Sequence, residues 1–258
     1  MSAGTSSITA LSERLENVRS RIGSCAQRCN RSPDDITLVA VSKTHPAEAI
    51  REAISLGVTD FGENRVQEAE DKIPIVGRDA ARWHLIGHLQ SNKARRAVEL
   101  FDVIHSLDSG SLALRLDRMC GELNRATMPV LIQVDLGHEA TKTGVGEGEL
   151  REVVTAVRGC HRLQLIGLMT LPPFFDKAEH VRPYFRRLRE LRDELQTKSA
   201  FGDRRGALSM GMTHDFEIAI EEGATIVRVG TAIFGERGQA ELGSYRTASG
   251  SERNKEAS

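Results

Sequence analysis

Short, β-rich apolar segments alternate with helical patterns along almost the whole of this chain. The apolar segments lie at about residues 36–42, 58–62, 82–86, 101–105, 130–135, 163–169, 206–210 and 225–229. Helical patterns lie between them, at about residues 46–56, 64–73, from 91, 109–124, 147–158, 177–198 and 215–222. Apolar runs of this length are typical of strands buried on both faces of a parallel sheet. The chain is therefore predicted to repeat one strand–helix unit.

Eight such units predict an α/β protein whose parallel strands close into a (β/α)8 barrel, or TIM barrel. A doubly wound open sheet is the alternative, although it rarely contains eight such regular units. An extra amphipathic helix over residues 7–29 precedes the first strand, because its apolar residues recur at three- and four-residue spacing. We expect one barrel domain over residues 1–237 and a disordered tail over the Gly-, Ser- and charge-rich residues 238–258.

The charge balance and the cysteines limit the classes of function. The 258 residues include 35 Lys plus Arg and 36 Asp plus Glu, which gives a formal net charge of −1 and no pull toward nucleic acid or an anionic membrane. Aromatic residues make up only 4% of the chain, too few to suggest a base-stacking surface. No apolar run is long enough to span a bilayer, and the start lacks the pattern of a secretory signal. With four cysteines and no C-x-x-C pair, we expect free thiols, no metal site and a soluble, cytoplasmic protein. We expect a monomer, because nothing in the sequence indicates a large exposed apolar surface.

Lys43 is the most reactive side chain predicted at the working end of the barrel. Barrel enzymes carry their functional residues at the C-terminal ends of the strands, and Lys43 follows the first strand. Alternation along that strand directs Val39, Val41 and Lys43 to one face. If that face is the barrel interior, apolar walls desolvate the amine, favour its neutral form and make it a nucleophile toward a carbonyl. The alternative is a lysine that extends from a strand end into solvent.

The segments after strands 7 and 8 have the composition of a phosphate site. They contain Ser209 with Gly211 and Gly230 with Thr231. Barrels often bind phosphate in these two loops, beside the start of a short helix. Small residues, hydroxyls and free backbone N–H groups suit an anion, although the glycines alternatively serve only to form turns. With an amine on the same rim, they indicate a ligand that is both a carbonyl compound and a phosphate ester, such as pyridoxal 5′-phosphate or a phosphosugar.

Arg228 bears on the choice between those ligands, because it is predicted on the inner face of strand 8 beside the phosphate site. A guanidinium is only a donor and keeps its proton. Opposite a pyridine ring it would leave the ring nitrogen unprotonated and the ring a weak electron sink. An ion pair with Glu63 or Asp135 is the structural alternative.

Four further residues near strand ends each have two alternative roles. Asn64 binds a cofactor hydroxyl or caps the helix that it opens. Met169 packs on a ring face or fills the core. His84 and His88 act as acid–base groups or, as is commoner for histidines at strand ends, as hydrogen-bonded structural residues.

Six segments carry these residues, namely 39–44, 61–68, 83–93, 167–170, 208–212 and 227–235. Their sequences are VAVSKT, FGENRVQE, WHLIGHLQSNK, GLMT, LSMGM and VRVGTAIFG. In this order, and over residues 8–237, they closely resemble the YggS/PROSC family, the pyridoxal phosphate homeostasis proteins. The resemblance implies a barrel like the N-terminal domain of alanine racemase. A Thr-His pair at residues 213–214 departs from the family's serine and variable residue, but it keeps a hydroxyl in place.

The resemblance also assigns roles to residues. It implies pyridoxal phosphate held as a Schiff base on Lys43, with Arg228 toward the pyridine nitrogen. The other implied cofactor contacts are Ser209, Gly230 and Thr231 on the phosphate, with Asn64 and Met169 lining the pocket.

The function implied is the binding and handing on of the cofactor to pyridoxal-phosphate-dependent apoenzymes, with an effect on vitamin B6 balance. Two alternatives remain at this point. One is a slow pyridoxal-phosphate enzyme acting on amino acids, and the other is a Schiff-base aldolase acting on a phosphosugar. Racemisation needs a second acid–base group, which alanine racemase takes from a tyrosine of a further domain. Here the only tyrosines are Tyr184, in a predicted helix, and Tyr245, in the predicted tail.

Overall fold

In the computed structural model, which describes residues 3–137 and 143–235, the parallel strands form a closed barrel. The strands follow one another around the barrel in chain order, and the last pairs with the first, with Leu38 opposite Val227. The predicted closed barrel is confirmed, and the open sheet is excluded. Residues 238–258, predicted as a disordered tail, lie outside the described residues.

The strands are β1 Thr37–Val41, β2 Asp60–Glu63, β3 Arg82–Leu85, β4 Val103–Leu107, β5 Met128–Gln133, β6 Leu163–Met169, β7 Ala207–Ser209 and β8 Ile226–Val229. All eight overlap the predicted segments. β4 and β5 are displaced as a whole by two residues, and β2 begins two residues later than predicted.

The helices are α1 Ala3–Arg28, α2 Ala47–Ser55, α3 Val66–Val76, α4 Ala94–Leu100, α5 Gly110–Glu122, α6 Leu150–Arg158, α7 Arg182–Gln196, α8 Phe216–Glu221 and α9 Thr231–Phe234. Short 3-10 turns occupy Pro33–Asp35, Arg78–Ala80, Ser91–Lys93 and Ala178–Val181. The predicted extra N-terminal helix is α1, which packs against α8 and α9. None of the described helices is long and apolar enough to cross a membrane.

Two separate apolar clusters hold the fold together. The larger one joins the outward faces of the strands to the helices and includes Trp83, which is fully buried and packs against Phe61 with 5.7 Å between ring centroids. The smaller cluster fills part of the barrel interior and comprises Val39, Val103, Leu131, Met169 and Ile226. The same interior also holds buried polar side chains, to which the site below is connected.

Candidate functional site

A cavity of about 500 Å³ opens at the C-terminal ends of the strands. That volume is in the range of small-molecule sites in proteins. Five of the residues predicted from the sequence line it, namely Lys43, Asn64, Arg228, Gly230 and Thr231. These residues come from three separate parts of the chain, at the ends of β1, β2 and β8, and the barrel brings them together at one end.

Met169 and Ser209, also predicted as cofactor contacts, are fully buried and do not line this cavity. Met169 belongs to the apolar cluster of the barrel interior. The Ser209 hydroxyl lies 2.6 Å from a guanidinium nitrogen of Arg228 and 2.9 Å from Nδ1 of His105. Both side chains therefore stand behind the cavity wall in this structure.

Lys43 lies in the turn after β1, not in the strand itself, and its side chain is exposed at the cavity. Of the two alternatives for this amine, the structure shows the exposed one, because β1 ends at Val41 and residue 43 lies beyond the strand. The next residue, Thr44, has φ +67°, a left-handed conformation that is strained for a β-branched side chain. The imidazole ring of the following residue, His45, stacks on the ring of Phe234 in α9, with 4.9 Å between centroids.

A buried ionic network on the outer side of the barrel fixes this turn. The ammonium of Lys72, on α3, donates to the carbonyl oxygen of Ser42 at 2.7 Å and to the carboxylates of Glu63 and Glu68 at 3.1 and 2.6 Å. The Ser42 hydroxyl donates to Glu63 at 2.7 Å, and the Thr44 N–H donates to Glu68. Both neighbours of the reactive lysine are thus bonded to α3.

Glu63 is the most perturbed carboxyl group of this network. Its burial raises its pKa to about 7, although the nearby ammonium of Lys72 and the Ser42 hydroxyl act in the opposite direction. One of its carboxyl oxygens is buried with no hydrogen-bond partner. Near neutral pH this group therefore exchanges between its charged and neutral forms.

Arg228 supplies a buried cation to the cavity floor. Its guanidinium donates to Ser209 Oγ at 2.6 Å and to the carbonyl oxygen of Thr170 at 2.9 Å. Burial lowers its pKa to about 10, and the charge of Asp215 opposes that shift. Glu63, proposed from the sequence as an alternative partner, is bonded to Lys72 instead. In the part of the chain that the structure describes, Arg228 forms no ion pair with a carboxylate, so its charge is available to a ligand.

Thr213, Gly230 and the start of α9 form an anion cradle at the end of β8, the strand that pairs with β1. The backbone N–H groups of Gly230 and Ala232 point to Thr213 Oγ1 at 3.4 and 3.5 Å, and the Thr231 hydroxyl lies 3.2 Å from the same atom. A Cβ at position 230 would lie 3.3 Å from the carbonyl oxygen of Val41, so only glycine leaves this approach open without a shift. Donors of this kind, at loops after β7 and β8, suit a phosphate group.

Thr213 is absent from the residues predicted to bind the cofactor, although the sequence showed a hydroxyl in the loop after strand 7. The apolar mouth of the cavity was also missed. It includes Phe174, whose side chain is 78% exposed and lies 5.6 Å, between ring centroids, from His214. In the sequence, the Pro-Pro-Phe-Phe run at residues 172–175, shortly after β6, is the feature that could have predicted this apolar mouth.

The two histidines singled out from the sequence do not line the cavity. His84 is buried and bonded to His105 and Asp60, each at 2.9 Å, so its structural role is confirmed. His88 is exposed, and its Nδ1 lies 3.3 Å from a carboxylate oxygen of Asp108. The titratable groups that do line the cavity with Lys43 and Arg228 include His214 and Asp215.

All four cysteines are free, as expected, and no cluster of metal-ligating side chains occurs within residues 3–137 and 143–235. Burial raises the pKa of the Cys25 and Cys160 thiols to about 11. Thiols of this kind are poor nucleophiles at neutral pH. No cysteine lines the cavity, so Lys43 is the candidate for covalent chemistry there.

Comparison with known proteins gives a consistent result. A family model described as "Alanine racemase, N-terminal domain" matches residues 14–238. The pyridoxal phosphate homeostasis protein of Aquifex aeolicus is 45% identical over 225 residues, which are 87% of this chain and 97% of that protein. The protein of the same name from Escherichia coli strain K12 is 44% identical over 233 residues, 88% of this chain and 97% of that protein. Among solved structures, PipY of Synechococcus elongatus with PLP bound is 41% identical, has a TM-score of 0.75, and aligns with 87% of this chain over its own full length.

Proposed function

Because this chain belongs to the family of pyridoxal phosphate homeostasis proteins, we propose that it binds pyridoxal 5′-phosphate in the cavity described above. Its role is to hold the cofactor reversibly, as a carrier or buffer in vitamin B6 balance. One observation carries this proposal. A single cavity presents an exposed amine, a buried guanidinium and an anion cradle, which are Lys43, Arg228 and the Thr213–Gly230–Thr231 group.

Those three features fit the three functional groups of the cofactor. When bound, the cofactor supplies an aldehyde that condenses reversibly with an amine, and Lys43 is the cavity's primary amine. The backbone N–H groups of Gly230 and Ala232 and the hydroxyls of Thr213 and Thr231 converge at one place in the lining, where they would donate to the phosphate. Arg228 holds a donor toward the ring nitrogen and so keeps that nitrogen unprotonated.

Asn64 lines the same cavity, where its amide suits the hydroxyl of the ring. The predicted contacts of Met169 and Ser209 with the cofactor stay predictions. Both side chains stand behind the wall, where Ser209 acts on the cavity through Arg228.

Whether the protein acts as a carrier or as an enzyme depends on how well the site stabilises a substrate carbanion and on which acid–base groups line it. A guanidinium at the ring nitrogen stabilises a substrate carbanion poorly compared with a carboxylate, and this favours the carrier. Slow chemistry on amino acids is the second candidate, and it is favoured by His214 and Asp215, two titratable groups in the cavity lining. Tyr184, on α7, packs against Phe175 and does not line the cavity.

The test compares the purified wild-type protein with Lys43→Ala after incubation with pyridoxal phosphate. We expect a visible absorption band in the wild type, fixed by borohydride as a mass increase on the peptide that contains Lys43. Lys198→Ala, at an exposed lysine of the α7 end, is the matched control and should keep the band. A wild type without a band would overturn the proposal, and trapping only by a sugar phosphate would identify an aldolase instead.

Three further properties are part of the same proposal. We place the protein in the cytoplasm, because its free thiols suit a reducing compartment. We propose that it is a monomer and that apoenzymes depending on pyridoxal phosphate receive the cofactor from it. Size-exclusion chromatography with light scattering tests whether the protein is a monomer. Transfer to apoenzymes is tested by reactivation of an apoenzyme. The loaded protein should reactivate it faster than the free cofactor that the protein releases.

A further inference from the structure

A continuous chain of hydrogen-bonded side chains crosses the interior of the barrel. Arg228, at the cavity, contacts Ser209 at 2.6 Å, and Ser209 contacts Nδ1 of His105 at 2.9 Å. Nε2 of His105 lies 2.9 Å from Nδ1 of His84, whose Nε2 lies 2.9 Å from the carboxylate of Asp60. Asp60 is the first residue of β2, so it stands at the end of the barrel opposite the cavity. The chain therefore joins the two ends of the barrel through five side chains from five different strands.

The two ends of this chain determine where every proton lies. A guanidinium only donates, so Ser209 Oγ accepts from Arg228 and has its own proton left to give to His105. A carboxylate only accepts, so Nε2 of His84 carries a proton toward Asp60. With both imidazoles neutral, Nδ1 of His84 accepts from Nε2–H of His105, and Nδ1 of His105 accepts from Ser209. Each of the four contacts then holds one proton, and all donors point from Arg228 toward Asp60.

The charge states of the members agree with this arrangement. Burial lowers the pKa of His84 and lowers that of His105 well below its usual value, so both rings are neutral near pH 7. Burial alone would raise the pKa of Asp60, but its hydrogen bonds from His84 and Thr59 outweigh burial and lower it. Asp60 is thus a carboxylate at the same pH.

We propose that His84 and His105 are positioning residues for the cofactor site, which hold the guanidinium of Arg228 at the cavity floor through Ser209. One N–H of the planar guanidinium is bonded to Ser209 and another to the Thr170 carbonyl, so the direction of the remaining N–H groups is fixed. The Ser209 hydroxyl can keep its lone pair toward Arg228 because its proton is bonded to His105. Polarisation along the chain of hydrogen bonds also lets the carboxylate of Asp60 stabilise the buried guanidinium of Arg228, although the two form no ion pair. This inference rests on the proposed function only in taking the ligand of Arg228 to be pyridoxal phosphate.

The proton arrangement is tested without any cofactor, by long-range nitrogen–proton NMR correlation of the imidazoles at pH 7. We expect both His84 and His105 to be neutral and protonated at Nε2. Assignment uses His84→Gln and His105→Asn, with His161→Gln, at an exposed surface position, as the control. A proton on Nδ1 of either ring would overturn the arrangement.

The positioning role is tested with two substitutions at one site. Phe at position 105 preserves a ring but removes both contacts, whereas Asn keeps an amide oxygen near the place of Nδ1 and so keeps an acceptor for Ser209. In His105→Phe we expect the side-chain N–H signals of Arg228 to exchange faster with water, with or without cofactor. We also expect about tenfold weaker binding of pyridoxal phosphate and a shifted absorption maximum. His105→Asn should restore most of the affinity and the wild-type maximum, and Ser209→Ala should resemble the Phe variant.

Folding of each variant is checked by its far-ultraviolet circular dichroism. Unchanged Arg228 exchange in folded His105→Phe or Ser209→Ala would overturn the positioning role, whatever the ligand. Wild-type protein that binds no pyridoxal phosphate would instead overturn the proposed function, while the exchange measurement still decides whether the histidines hold Arg228.

Discussion

The ammonium of Lys72 donates a hydrogen bond to the carbonyl oxygen of Ser42 at 2.7 Å, and so ties helix α3 to the residue before the reactive lysine. Lys72 is itself buried, between the carboxylates of Glu63 and Glu68. The turn that carries Lys43 is therefore held from outside the barrel by charged groups. The amine of Lys43 is exposed at the cavity, while both neighbouring residues are bonded to α3.

Replacing Lys72 by Met should destabilise the fold strongly. The substitution keeps the apolar stem but leaves the carboxylate of Glu63, which is fully buried, without its cation. Loss of one partner of a buried ion pair costs about 3–5 kcal/mol. Urea unfolding at pH 8 measures this cost, and the exposed Lys198→Met is the matched control. A Lys72→Met protein as stable as that control would show that the network does not hold the turn.

Glu63 should make stability depend on pH in a way that Glu63→Gln removes. Burial raises the pKa of this group from 4.5 to about 7 in the folded chain, so between these values the folded state binds more protons than the unfolded state. The contribution of Glu63 to stability is therefore complete below pH 4.5 and is lost as the pH rises to about 7. The full shift corresponds to about 3 kcal/mol.

Urea unfolding of both proteins from pH 4.5 to 8 gives the difference in free energy of unfolding, wild type minus variant. We expect that difference to fall as the pH rises and to level off above pH 7 to 8. Groups that titrate equally in the two proteins cancel from it. A difference that rose near pH 4.5 and was flat above it would mean that Lys72 keeps Glu63 ionised throughout.

Gly87→Ala should disturb the cavity wall at its base. A Cβ at this position would lie 2.2 Å from the backbone carbonyl oxygen of Asn64, so one of the two segments must move. Overpacking of this kind costs about 3 kcal/mol, the upper end of its usual range, because a backbone atom cannot rotate away. Gly148→Ala is the control, since a Cβ there meets nothing within 4 Å. Equal unfolding midpoints for the two variants would contradict the predicted clash.

Thr213→Val should weaken phosphate recognition selectively. The variant keeps the shape of the side chain but removes the hydroxyl that faces Gly230 and Thr231 in the cradle. Loss of one hydrogen bond to a charged group predicts about tenfold weaker binding of pyridoxal phosphate. Pyridoxal, which has no phosphate, should bind both proteins equally.

The affinities for pyridoxal phosphate and pyridoxal are measured by spectral titration. Thr127→Val, at an exposed position, is the control and should leave both affinities unchanged. If Thr213→Val lost the same factor for pyridoxal as for pyridoxal phosphate, the hydroxyl would act on the shape of the cavity and not on the phosphate.

The strand–helix repeat was predictable because each part of it depends on local periodicity and on the apolar character of short runs. β6 was predicted at Leu163–Met169, as observed. β4 and β5 lie two residues from their predicted places, because an apolar run does not show which of its residues pair with the neighbouring strand.

The sequence by itself determined the closed barrel and most of the rim, because the C-terminal ends of parallel strands meet at one end and bring Lys43, Asn64 and Gly230 to one cavity. Only the tertiary structure decided how deep each side chain lies. Lys43 stands exposed because β1 ends two residues earlier, and Ser209 is behind the wall because Arg228 and His105 both bond to it. The chain from Arg228 to Asp60 is likewise invisible in the sequence. Its members are far apart along the chain, and only the relative stagger of five strands in a closed barrel places their polar atoms within hydrogen-bond distance.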